Sequence, residues 1–272
     1  MLNSYIPKFA KIINIEHQTA DVKLFTFAFA EKNDRVNFSF THGQFLMLGL
    51  LGQGEAAFDI CSAKTRPASF QLAIRRAGGL TAKLHELKIG ERVTVRGPFG
   101  NGWPEKIYQG KDLILIGGGT GFIVFRSLVL DYLAGKSAAR KISLFYGCLN
   151  EVNMLFRHEF PVWKKKISLE IACAAPGKLW QGATGLVTSL FKPNQDFADT
   201  IALVVGPPAM YRPVIAELKK RGMADQDIFV SLERRMYCGI GVCQHCAIGP
   251  YYVCKDGPVF SWAQLKDIPG AV

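Results

Sequence analysis

Hydrophobic and polar positions change their pattern near residue 110 of the chain. Before that point lie short segments rich in β-branched and aromatic residues, such as DVKLFTFAF at 21–29. Residues 69–76 and 91–102 have the same character, which is typical of β-strands. Several short strands at intervals marked by turns predict a small antiparallel barrel over residues 1–108.

A helix is predicted between the strands of this barrel, over residues 80–90. Leu80, Leu84 and Leu87 recur at helical spacing, and Gly90 follows them as a terminator. This helix interrupts the series of strands without changing the predicted class of the domain.

Residues 109–227 show apolar strands that alternate with helical patterns. The strands are predicted at 112–121, 141–147, 168–174 and 201–208, with a helix at 125–135. Such alternation predicts a parallel sheet covered by helices on both faces, in which ligands bind at the carboxyl ends of the strands. The expected fold is therefore an antiparallel barrel, an α/β domain, and a C-terminal segment over residues 228–272.

Composition supports a globular protein rather than a disordered or membrane-spanning one. Apolar residues make up 49% and charged residues 20% of the 272 positions, and that length favours two modules. The longest apolar stretch, residues 113–125, is too short to cross a bilayer. With no secretory pattern and an odd number of cysteines, we expect a cytoplasmic protein whose thiols are free to bind metal.

The net charge of +11 raises the question of nucleic-acid binding. The basic residues are scattered, and they do not alternate with aromatic residues in a stripe as in single-strand binding proteins. We therefore expect no nucleic-acid partner. A solvated surface or a face for an acidic partner subunit is the favoured interpretation.

The strongest chemical signal is a cysteine motif in the C-terminal segment. Cys238, Cys243, Cys246 and Cys254 follow the spacing C-x4-C-x2-C-x7-C. A structural zinc site usually draws two close cysteine pairs from separate turns, whereas C-x4-C-x2-C with a later fourth cysteine is typical of plant-type [2Fe–2S] proteins. We expect a [2Fe–2S] cluster on these four cysteines, with zinc as the alternative.

The glycines and the histidine inside the motif have separate predicted roles. Gly239 and Gly241 allow the backbone to wrap closely around a cluster, so that N–H groups approach sulfur. His245 is expected at the surface or behind the ligands, because four thiolates already complete the set. The other three cysteines are expected to be small buried apolar residues: Cys61, Cys148 and Cys173.

Two glycine-rich turns follow strands of the α/β domain. The sequence IGGGTG at 116–121 lies at a strand-to-helix junction, where free N–H groups and the helix dipole favour a phosphate. The sequence VGPPAM at 205–210 ends another strand. Both are expected at the sheet edge where dinucleotides bind, although an ordinary tight turn is the alternative for the first.

A third candidate anion site lies in the barrel region, at RRAGGLTAKL. Gly78, Gly79 and Thr81 stand at the start of the predicted helix, with Arg75 or Arg76 beside them. This arrangement could hold a flavin pyrophosphate, while Thr81 could instead be a helix cap. A flavin would connect two-electron and one-electron chemistry between a nucleotide and the cluster.

These motifs resemble the ferredoxin–NADP reductase superfamily, over nearly the whole chain. The sequences ERRMYCGIGVCQHC and YYVCKDGPVF resemble its iron–sulfur branch. This branch includes the electron-transfer subunit of dihydroorotate dehydrogenase B, the corresponding subunit of anaerobic sulfite reductase and the gamma subunit of cytoplasmic nickel–iron sulfhydrogenase. RGPFGNGWP at 96–104 and VGPPAM are more similar to the hydrogenase and sulfite reductase members.

The resemblance implies three binding sites. The residues themselves offer no catalytic acid–base pair or nucleophile, which fits a protein whose chemistry belongs to its cofactors. FAD is expected to lie against Phe58, Asp59, Ile60, Cys61 and Ser62. Its pyrophosphate is expected at residues 78–81, and the cofactor-binding residues of that region are Ile74, Arg75, Gly78, Gly79, Leu80 and Thr81. NAD(P)H is expected at Gly118, Gly119, Thr120, Gly121, Gly206, Pro207 and Met210. Electrons would pass between NAD(P)H, FAD, the cluster and a partner oxidoreductase in a hetero-oligomer, most naturally a hydrogenase or sulfite reductase.

The chain departs from the superfamily's motifs at both nucleotide sites. The flavin motif R-x-Y-S falls on Ala56, Ala57, Phe58 and Asp59, so its arginine and serine are absent. In the nucleotide motif G-T-G-x-A-P, Ile123 and Val124 stand where alanine and proline are expected. After the YG at 146–147 the chain reads CLNE, without the arginine that often binds the ribose-phosphate end of the cofactor. A relay that does not use nicotinamide therefore stays open as an alternative, and a zinc-stabilised nucleic-acid-binding module stays open as a second one.

The choice between NAD and NADP is left open by the sequence. An acidic side chain at the adenosine ribose favours the free 2′-hydroxyl, and a basic one favours the phosphate. The candidate segment, residues 173–182, contains no acid and one cation, Lys178.

Overall fold

The protein is built on two large β-sheets, in a computed structural model that describes residues 4–65 and 68–272. The first sheet contains β1 (Lys8–His17), β2 (Val22–Phe29), β3 (Phe45–Leu50), β4 (Gly54–Asp59), β5 (Phe70–Arg75) and β6 (Arg92–Phe99). Its order is β4-β3-β6-β1-β2-β5, with antiparallel pairing throughout. A bridge from Ile60 to Leu72 joins the two outer strands, so the sheet closes into the predicted barrel.

Aromatic residues on neighbouring strands fill the inside of the barrel. Phe27 on β2 stands opposite Phe70 on β5, and their ring centroids are 5.3 Å apart. Such cross-strand pairs fix the register because a shift by one residue would turn the rings outward. The predicted strands at 21–29, 69–76 and 91–102 are thereby confirmed as β2, β5 and β6.

Two short helices lie in the barrel region, α1 (Lys32–Asn37) and α2 (Gly79–Glu86). The prediction placed the second helix over 80–90, but it ends four residues earlier, because Leu87 is already extended. Gly90 then donates its N–H to the Ile12 carbonyl at 2.8 Å. Pairing with β1 thus takes the chain out of the helix and into β6.

The second sheet contains β7 (Asp112–Gly118), β8 (Lys141–Cys148), β9 (Ser168–Cys173), β10 (Ala183–Thr184), β11 (Thr200–Val205), β12 (Ile228–Ser231) and β15 (Val259–Ser261). Its order is β10-β9-β8-β7-β11-β12-β15, and every pairing except that of β12 with β15 is parallel. The predicted parallel sheet is confirmed. The C-terminal segment, however, contributes β12 and β15 to it, which was not predicted.

The remaining elements cover this sheet and form the C-terminal segment. The helices are α3 (Ile123–Leu133), α4 (Phe160–Trp163), α5 (Pro208–Lys220), α6 (Val253–Asp256) and α7 (Trp262–Leu265). Short 3-10 turns occur at Gly119–Phe122, Glu151–Asn153, Arg157–Glu159, Val187–Leu190 and Asp225–Asp227, and β13 (Ala247–Ile248) pairs with β14 (Tyr251–Tyr252). No helix within residues 4–65 and 68–272 has the length and apolar character needed to cross a membrane.

Helix α3 is nearly all buried, because it lies between the sheet and the barrel. Its Arg126 donates hydrogen bonds to the Cys61 carbonyl and to Gln71 Oε1, both at 2.9 Å, across the boundary between the two sheets. Its fully buried Asp131 accepts hydrogen bonds from His42 Nε2 at 2.8 Å and from the Lys64 N–H at 3.0 Å. The barrel and the α/β sheet are therefore joined by satisfied buried polar groups.

Candidate functional site

The four predicted cluster cysteines lie together in the C-terminal segment. Cys238, Cys243 and Cys246 stand on one loop, here called the cysteine loop (residues 238–246), and Cys254 lies on α6. The N–H of Cys243 lies 3.4 Å from Cys238 Sγ, and the N–H of Cys254 lies 3.5 Å from Cys246 Sγ. The four cysteines thus form two neighbouring pairs in one small region.

Backbone N–H groups of the cysteine loop point at the sulfurs. The N–H groups of Ile240, Val242 and Cys243 lie 3.4–3.5 Å from Cys238 Sγ, and that of Gly241 lies 3.1 Å from Cys254 Sγ. The loop curls this tightly because Gly239 and Gly241 have φ angles of 76° and 77°, which favour glycine. Such N–H···S contacts stabilise negative charge on sulfur.

The two ends of the site have opposite acid–base character. Burial acts against ionisation of Cys238, but the surrounding N–H groups outweigh it and lower the pKa of this thiol to about 6. Burial, together with the hydrogen bond from Cys246, raises the pKa of Cys254 to about 12. Cys238 is therefore the readily ionised ligand candidate, and Cys254 is the buried one.

This arrangement does not gather the ligands around one point. Across the described part of the chain, no three His, Cys, Asp or Glu side chains converge as they would on a single metal ion. A structural zinc ion needs four ligands about 2.0–2.3 Å from one centre. A two-iron cluster needs two ligands on each of two irons, and two thiol pairs fit that requirement. His245 is exposed, with its ring 4.5 Å from that of Tyr237.

The barrel holds the cysteine loop from one side. Arg96 on β6 donates through Nη1 to the Cys238 carbonyl at 3.0 Å and forms a two-point ion pair with Glu55 on β4. A Cβ on Gly239 would stand 3.0 Å from the Phe99 ring, so the loop backbone rests directly on β6. Arg96 lies in the RGPFGNGWP sequence, but sequence analysis gave it no role, because its partners are 41 and 142 residues away.

The residues predicted to contact the flavin ring differ in how deeply they are buried. Ile60, Cys61 and Ser62 are fully buried; Cys61 Sγ donates to the Gln71 carbonyl at 3.3 Å, and Ser62 Oγ accepts from the Gln71 N–H at 3.2 Å. Phe58 and Asp59 are half-buried instead. Only the last two therefore present side chains to a ligand, and the other three could contact one through their backbone.

Asp59 is a carboxyl group with unusual acidity. Burial, with a smaller contribution from the charge of Glu233, raises its pKa to about 7. Burial is also the main cause that raises the pKa of Tyr211 to about 12, and the charges of Glu233 and Asp59 add to this effect. Asp59 at the end of β4, Glu233 after β12 and Tyr211 on α5 therefore lie near one another, where the barrel meets the sheet edge. Glu233 is a residue that sequence analysis missed.

The predicted pyrophosphate site stands at the start of α2. Thr81 Oγ1 accepts the N–H groups of Ala77 and Gly78, both at 2.9 Å, so Thr81 acts on the helix start from the third helical position, and Gly78 is the N-cap. Nothing lies within 4 Å of a Cβ built on Gly78 or Gly79. This open backbone beside a helix N-terminus fits a phosphate group.

The neighbouring arginine and apolar residues of this site make contacts that stabilise the barrel. Arg75 Nε donates to Asp21 Oδ2 at 2.8 Å, so this guanidinium already has an anionic partner. Ile74 is fully buried in the barrel core, and Leu80 is half-buried against it. Of the six predicted residues, Gly78 and Gly79 are thus the ones with open space beside them.

The two glycine-rich turns of the α/β domain meet at one sheet edge, as predicted. A Cβ on Gly118 would stand 2.5 Å from Met210 Sδ, and one on Gly121 would stand 2.9 Å from Gly206 Cα. Those glycines therefore allow the turns to pack on each other. Gly119, Thr120 and Pro207 remain exposed, and the space beside Gly119 is open. These three residues are the ones that a nucleotide could reach.

Comparison with known families divides the chain in the same way as the geometry. A profile for "Oxidoreductase FAD-binding domain" matches residues 10–103, and one for "Oxidoreductase NAD-binding domain" matches residues 115–215. A profile for "Iron-sulfur cluster binding domain of dihydroorotate dehydrogenase B" matches residues 233–266. Each matched segment contains one of the three sites described above.

Relatives of similar length align over nearly the whole chain. The chain is 38% identical to sulfhydrogenase 2 subunit gamma of Pyrococcus furiosus, over 100% of both chains. It is 31% identical to a probable dihydroorotate dehydrogenase B (NAD(+)) electron transfer subunit of Thermococcus kodakarensis, over 90% of this chain and 92% of the relative.

A solved structure shows the same fold. The NADH-dependent reduced ferredoxin-NADP oxidoreductase aligns with a TM-score of 0.74 and 22% identity, over 98% of this chain and 93% of the other. At that level of identity, the likeness establishes the arrangement of barrel, sheet and C-terminal segment. It does not assign individual residues.

Proposed function

We propose an electron path through this chain, which belongs to the iron–sulfur branch of the ferredoxin–NADP reductase superfamily. The protein is an oxidoreductase subunit for electron transfer that links NAD(P)H, FAD and an iron–sulfur cluster. The proposal concerns the residues at each step, the type of cluster and the partner.

The cluster is of the [2Fe–2S] type and is held by Cys238, Cys243, Cys246 and Cys254. The observation that carries this assignment is the arrangement of the four cysteines as two neighbouring pairs, each joined by a backbone N–H that faces the sulfur of its partner. Two ligand pairs suit two irons, and the C-x4-C-x2-C spacing agrees. Arg96 and the N–H groups of the cysteine loop position the ligands and offset their negative charge.

The flavin site lies on the barrel, with the ring at Phe58 and Asp59 and the pyrophosphate at Gly78 and Gly79. When bound, a flavin accepts a hydride and releases electrons singly. The carboxyl group of Asp59, which replaces a serine of the superfamily motif, has a pKa of about 7. At neutral pH roughly half of these carboxyl groups are therefore uncharged hydrogen-bond donors, so the repulsion of an anionic cofactor is weaker than for an ordinary carboxylate. The remaining predicted contacts are Ile60, Cys61, Ser62, Ile74, Arg75, Leu80 and Thr81.

The nicotinamide nucleotide binds at the sheet edge, against exposed Gly119, Thr120 and Pro207. Gly118, Gly121, Gly206 and Met210 shape this edge by packing the two turns together. Tyr211 fixes the second turn, since its hydroxyl donates to the Ser231 carbonyl and accepts the Gly206 N–H at 3.4 Å. These residues hold the nucleotide in a fixed orientation, while the redox chemistry belongs to the cofactors.

The partner is a hydrogenase-type oxidoreductase in a cytoplasmic hetero-oligomer. Full-length similarity to a sulfhydrogenase gamma subunit supports this choice. The division of the chain into flavin, nucleotide and cluster parts at 1–108, 109–227 and 228–272 belongs to the same proposal. Strands β12 and β15 of the last part complete the sheet of the second, which keeps the cluster in a fixed position relative to the nucleotide edge.

Anaerobic titration of the purified protein with NADH and with NADPH tests this function. Bleaching of the flavin absorption followed by reduction of the cluster is the expected result with at least one of the two. A flavin and cluster that neither nucleotide reduces would instead favour a relay that receives electrons from another protein. A colourless zinc protein would contradict both interpretations.

A further inference from the structure

We propose that Glu151 makes the nucleotide site selective for NADH over NADPH. This inference rests on the proposed function, because it concerns the nucleotide of the same sheet edge. The sequence left the choice open, since the candidate segment 173–182 contains no acidic residue. The structure places an acid from another part of the chain against that segment.

The position of Glu151 follows from the order of the strands. With the two-residue edge strand β10 left out, the strands β9-β8-β7-β11-β12, numbered by sequence from β7, have the order 3-2-1-4-5. In dinucleotide-binding sheets of this order, an acidic residue about 20 residues beyond the glycine-rich turn accepts a hydrogen bond from the ribose 2′-hydroxyl of NAD. Glu151 lies 30 residues beyond Gly121, after α3 and β8. Strand β8 is the second strand of this order, and Glu151 begins the 3-10 turn that follows it.

The carboxylate of Glu151 is fixed between the ends of two strands. Both of its oxygens lie 3.0 Å from the N–H of Gly177, which belongs to the loop after β9. This N–H group lowers the pKa of Glu151, so the side chain is negatively charged at neutral pH. A fixed negative charge therefore stands where the loops after β8 and β9 meet.

The basic side chains that would favour a 2′-phosphate are few in this region. Residues 148–153 contain no arginine or lysine, and Lys178 is the one cation of segment 173–182. Lys178 is exposed, whereas the carboxylate is tied to the backbone. A hydroxyl can donate to this carboxylate, but a phosphate at the same place would be repelled by it.

Calorimetric titration of the cofactor-loaded protein with NAD+ and with NADP+ tests the proposal by binding alone. We expect NAD+ to bind roughly tenfold more tightly or better, the effect of one hydrogen bond to a charged group. Glu151→Gln should remove most of this preference. The matched control is Glu170→Gln, which removes a partly exposed carboxylate on β9 that pairs with Lys192, and it should leave the preference unchanged.

Two results would overturn the selectivity while leaving the proposed function intact. One is equal or tighter binding of NADP+, and the other is an unchanged preference in Glu151→Gln. If neither nucleotide binds, nicotinamide use itself is wrong. Lys178→Gln adds a check on the competing role, because weaker NADP+ binding in this variant alone would assign the specificity to the lysine.

Two buried thiols at the same edge carry a separate inference that does not depend on a nucleotide. Cys148 ends β8 and Cys173 ends β9, and the two are direct partners in the register of the sheet. Their sulfurs are 3.0 Å apart, and neither side chain is more than 6% exposed. Neighbouring strands lie about 4.8 Å apart, within reach of the Cα separation of about 4.4–6.8 Å found in disulfides.

We infer that Cys148 and Cys173 close to a structural disulfide when a small-molecule disulfide is supplied. Both S–H bonds break and one S–S bond forms. The two electrons and two protons pass to the added disulfide, which becomes two thiols. Burial raises the pKa of both cysteines, so little thiolate is present and exchange is slow in either direction. The bond, once formed, links the ends of β8 and β9 covalently.

Glutathione disulfide is the probe, followed by denaturation, alkylation without reduction, and peptide mapping by mass spectrometry. A linked peptide that joins Cys148 to Cys173 is expected, with Cys61 alkylated as the internal control. The treated protein should also melt roughly 5–10 °C higher than treated Cys148→Ser. Recovery of both cysteines as alkylated thiols, or linkage to cysteines of the cluster site, would overturn the inference.

Discussion

The cysteine loop and the glycine turn after β7 both place glycines next to a proposed ligand, but they use those glycines differently. In the cysteine loop, Gly239 and Gly241 let N–H groups face sulfur atoms. In the turn after β7, Gly118 and Gly121 make room for Met210 and Gly206 of the same protein. The glycines of the cysteine loop therefore point to a ligand through the direction of their N–H groups, whereas Gly118 and Gly121 serve the packing of one turn on another.

Loss of the cluster should be the largest effect. Cys254→Ser removes a buried thiol from one of the two pairs, so iron and acid-labile sulfide should fall to a small fraction of the normal content. The matched control is Cys148→Ser, a buried cysteine outside the C-terminal segment, which should keep its iron. Equal iron in the two variants would show that Cys254 is not a ligand.

The support of the cysteine loop by the barrel should have the next largest effect. Arg96→Met leaves Glu55 without its partner and removes the donor to the Cys238 carbonyl. We expect a loss of about 1–3 kcal/mol in the free energy of unfolding, less than for a fully buried ion pair, because Arg96 is buried but Glu55 is 30% exposed. The electron paramagnetic resonance spectrum of the reduced cluster should also shift.

An exposed arginine provides the control for Arg96. Arg140 pairs with Asp112 and Asp199 at the surface, and its side chain is 53% exposed. Arg140→Met should therefore change stability little and leave the spectrum of the cluster unchanged. A spectrum that Arg96→Met also leaves unchanged would limit Arg96 to a role in folding.

Two glycine substitutions separate packing from ligand binding. Gly121→Ala places a methyl group 2.9 Å from the backbone of Gly206, and should cost roughly 1–3 kcal/mol of stability. Gly79→Ala meets open space, so stability should not fall, but the methyl group enters the proposed pyrophosphate site and should weaken flavin binding roughly tenfold. Denaturation and flavin titration of both variants check this contrast. Unchanged flavin affinity in Gly79→Ala would place the cofactor elsewhere.

The pH dependence of stability should show the smallest effect. The pKa of Asp59 is raised from about 4 to about 7, so the fold favours the protonated form. Its contribution is complete below about pH 4 and is lost as the pH rises through 7. The flavin-free protein should therefore gain stability at pH 8 on Asp59→Asn, and much less at pH 5. Urea unfolding at the two pH values measures this, and equal gains would contradict the raised pKa.

Glu105, a carboxylate at the boundary between barrel and sheet, should change the stability with pH in the opposite direction to Asp59. Hydrogen bonding from His42 is the main cause that lowers the pKa of Glu105, which is about 2. Its contribution is present above about pH 4.5 and is lost on acidification below that value. Glu105→Gln should therefore destabilise the protein at pH 5 and less at pH 3, and urea unfolding at these two values measures the difference.

The parts of this molecule that sequence predicts well are those with a local pattern. Strand β2 is rich in aromatic residues, strand β7 carries a continuous apolar run, and the cluster cysteines lie within a stretch of 17 residues. Helix α2 was predicted too long because its end is set by pairing with β1, and Ile12 is far away in sequence. Local patterns therefore predict an element better than they predict where it stops.

The residues that sequence analysis missed act over long separations. Arg96 contacts Cys238 across 142 residues, and His42 contacts Asp131 across 89. Glu151 meets Gly177 only because two parallel strands end side by side. Nothing in the local sequence of these residues signals such partners, so only the fold places them at the sites.

The most direct test of the electron path is to reduce the purified protein anaerobically with NADH or NADPH and to record its absorption and electron paramagnetic resonance spectra together. Iron, sulfide and flavin are assayed on the same sample. We predict bound flavin, about two irons per chain, and the signal of a reduced [2Fe–2S] cluster that appears as the flavin bleaches. Flavin that bleaches while the cluster stays oxidised, or a protein without flavin, would contradict this electron path.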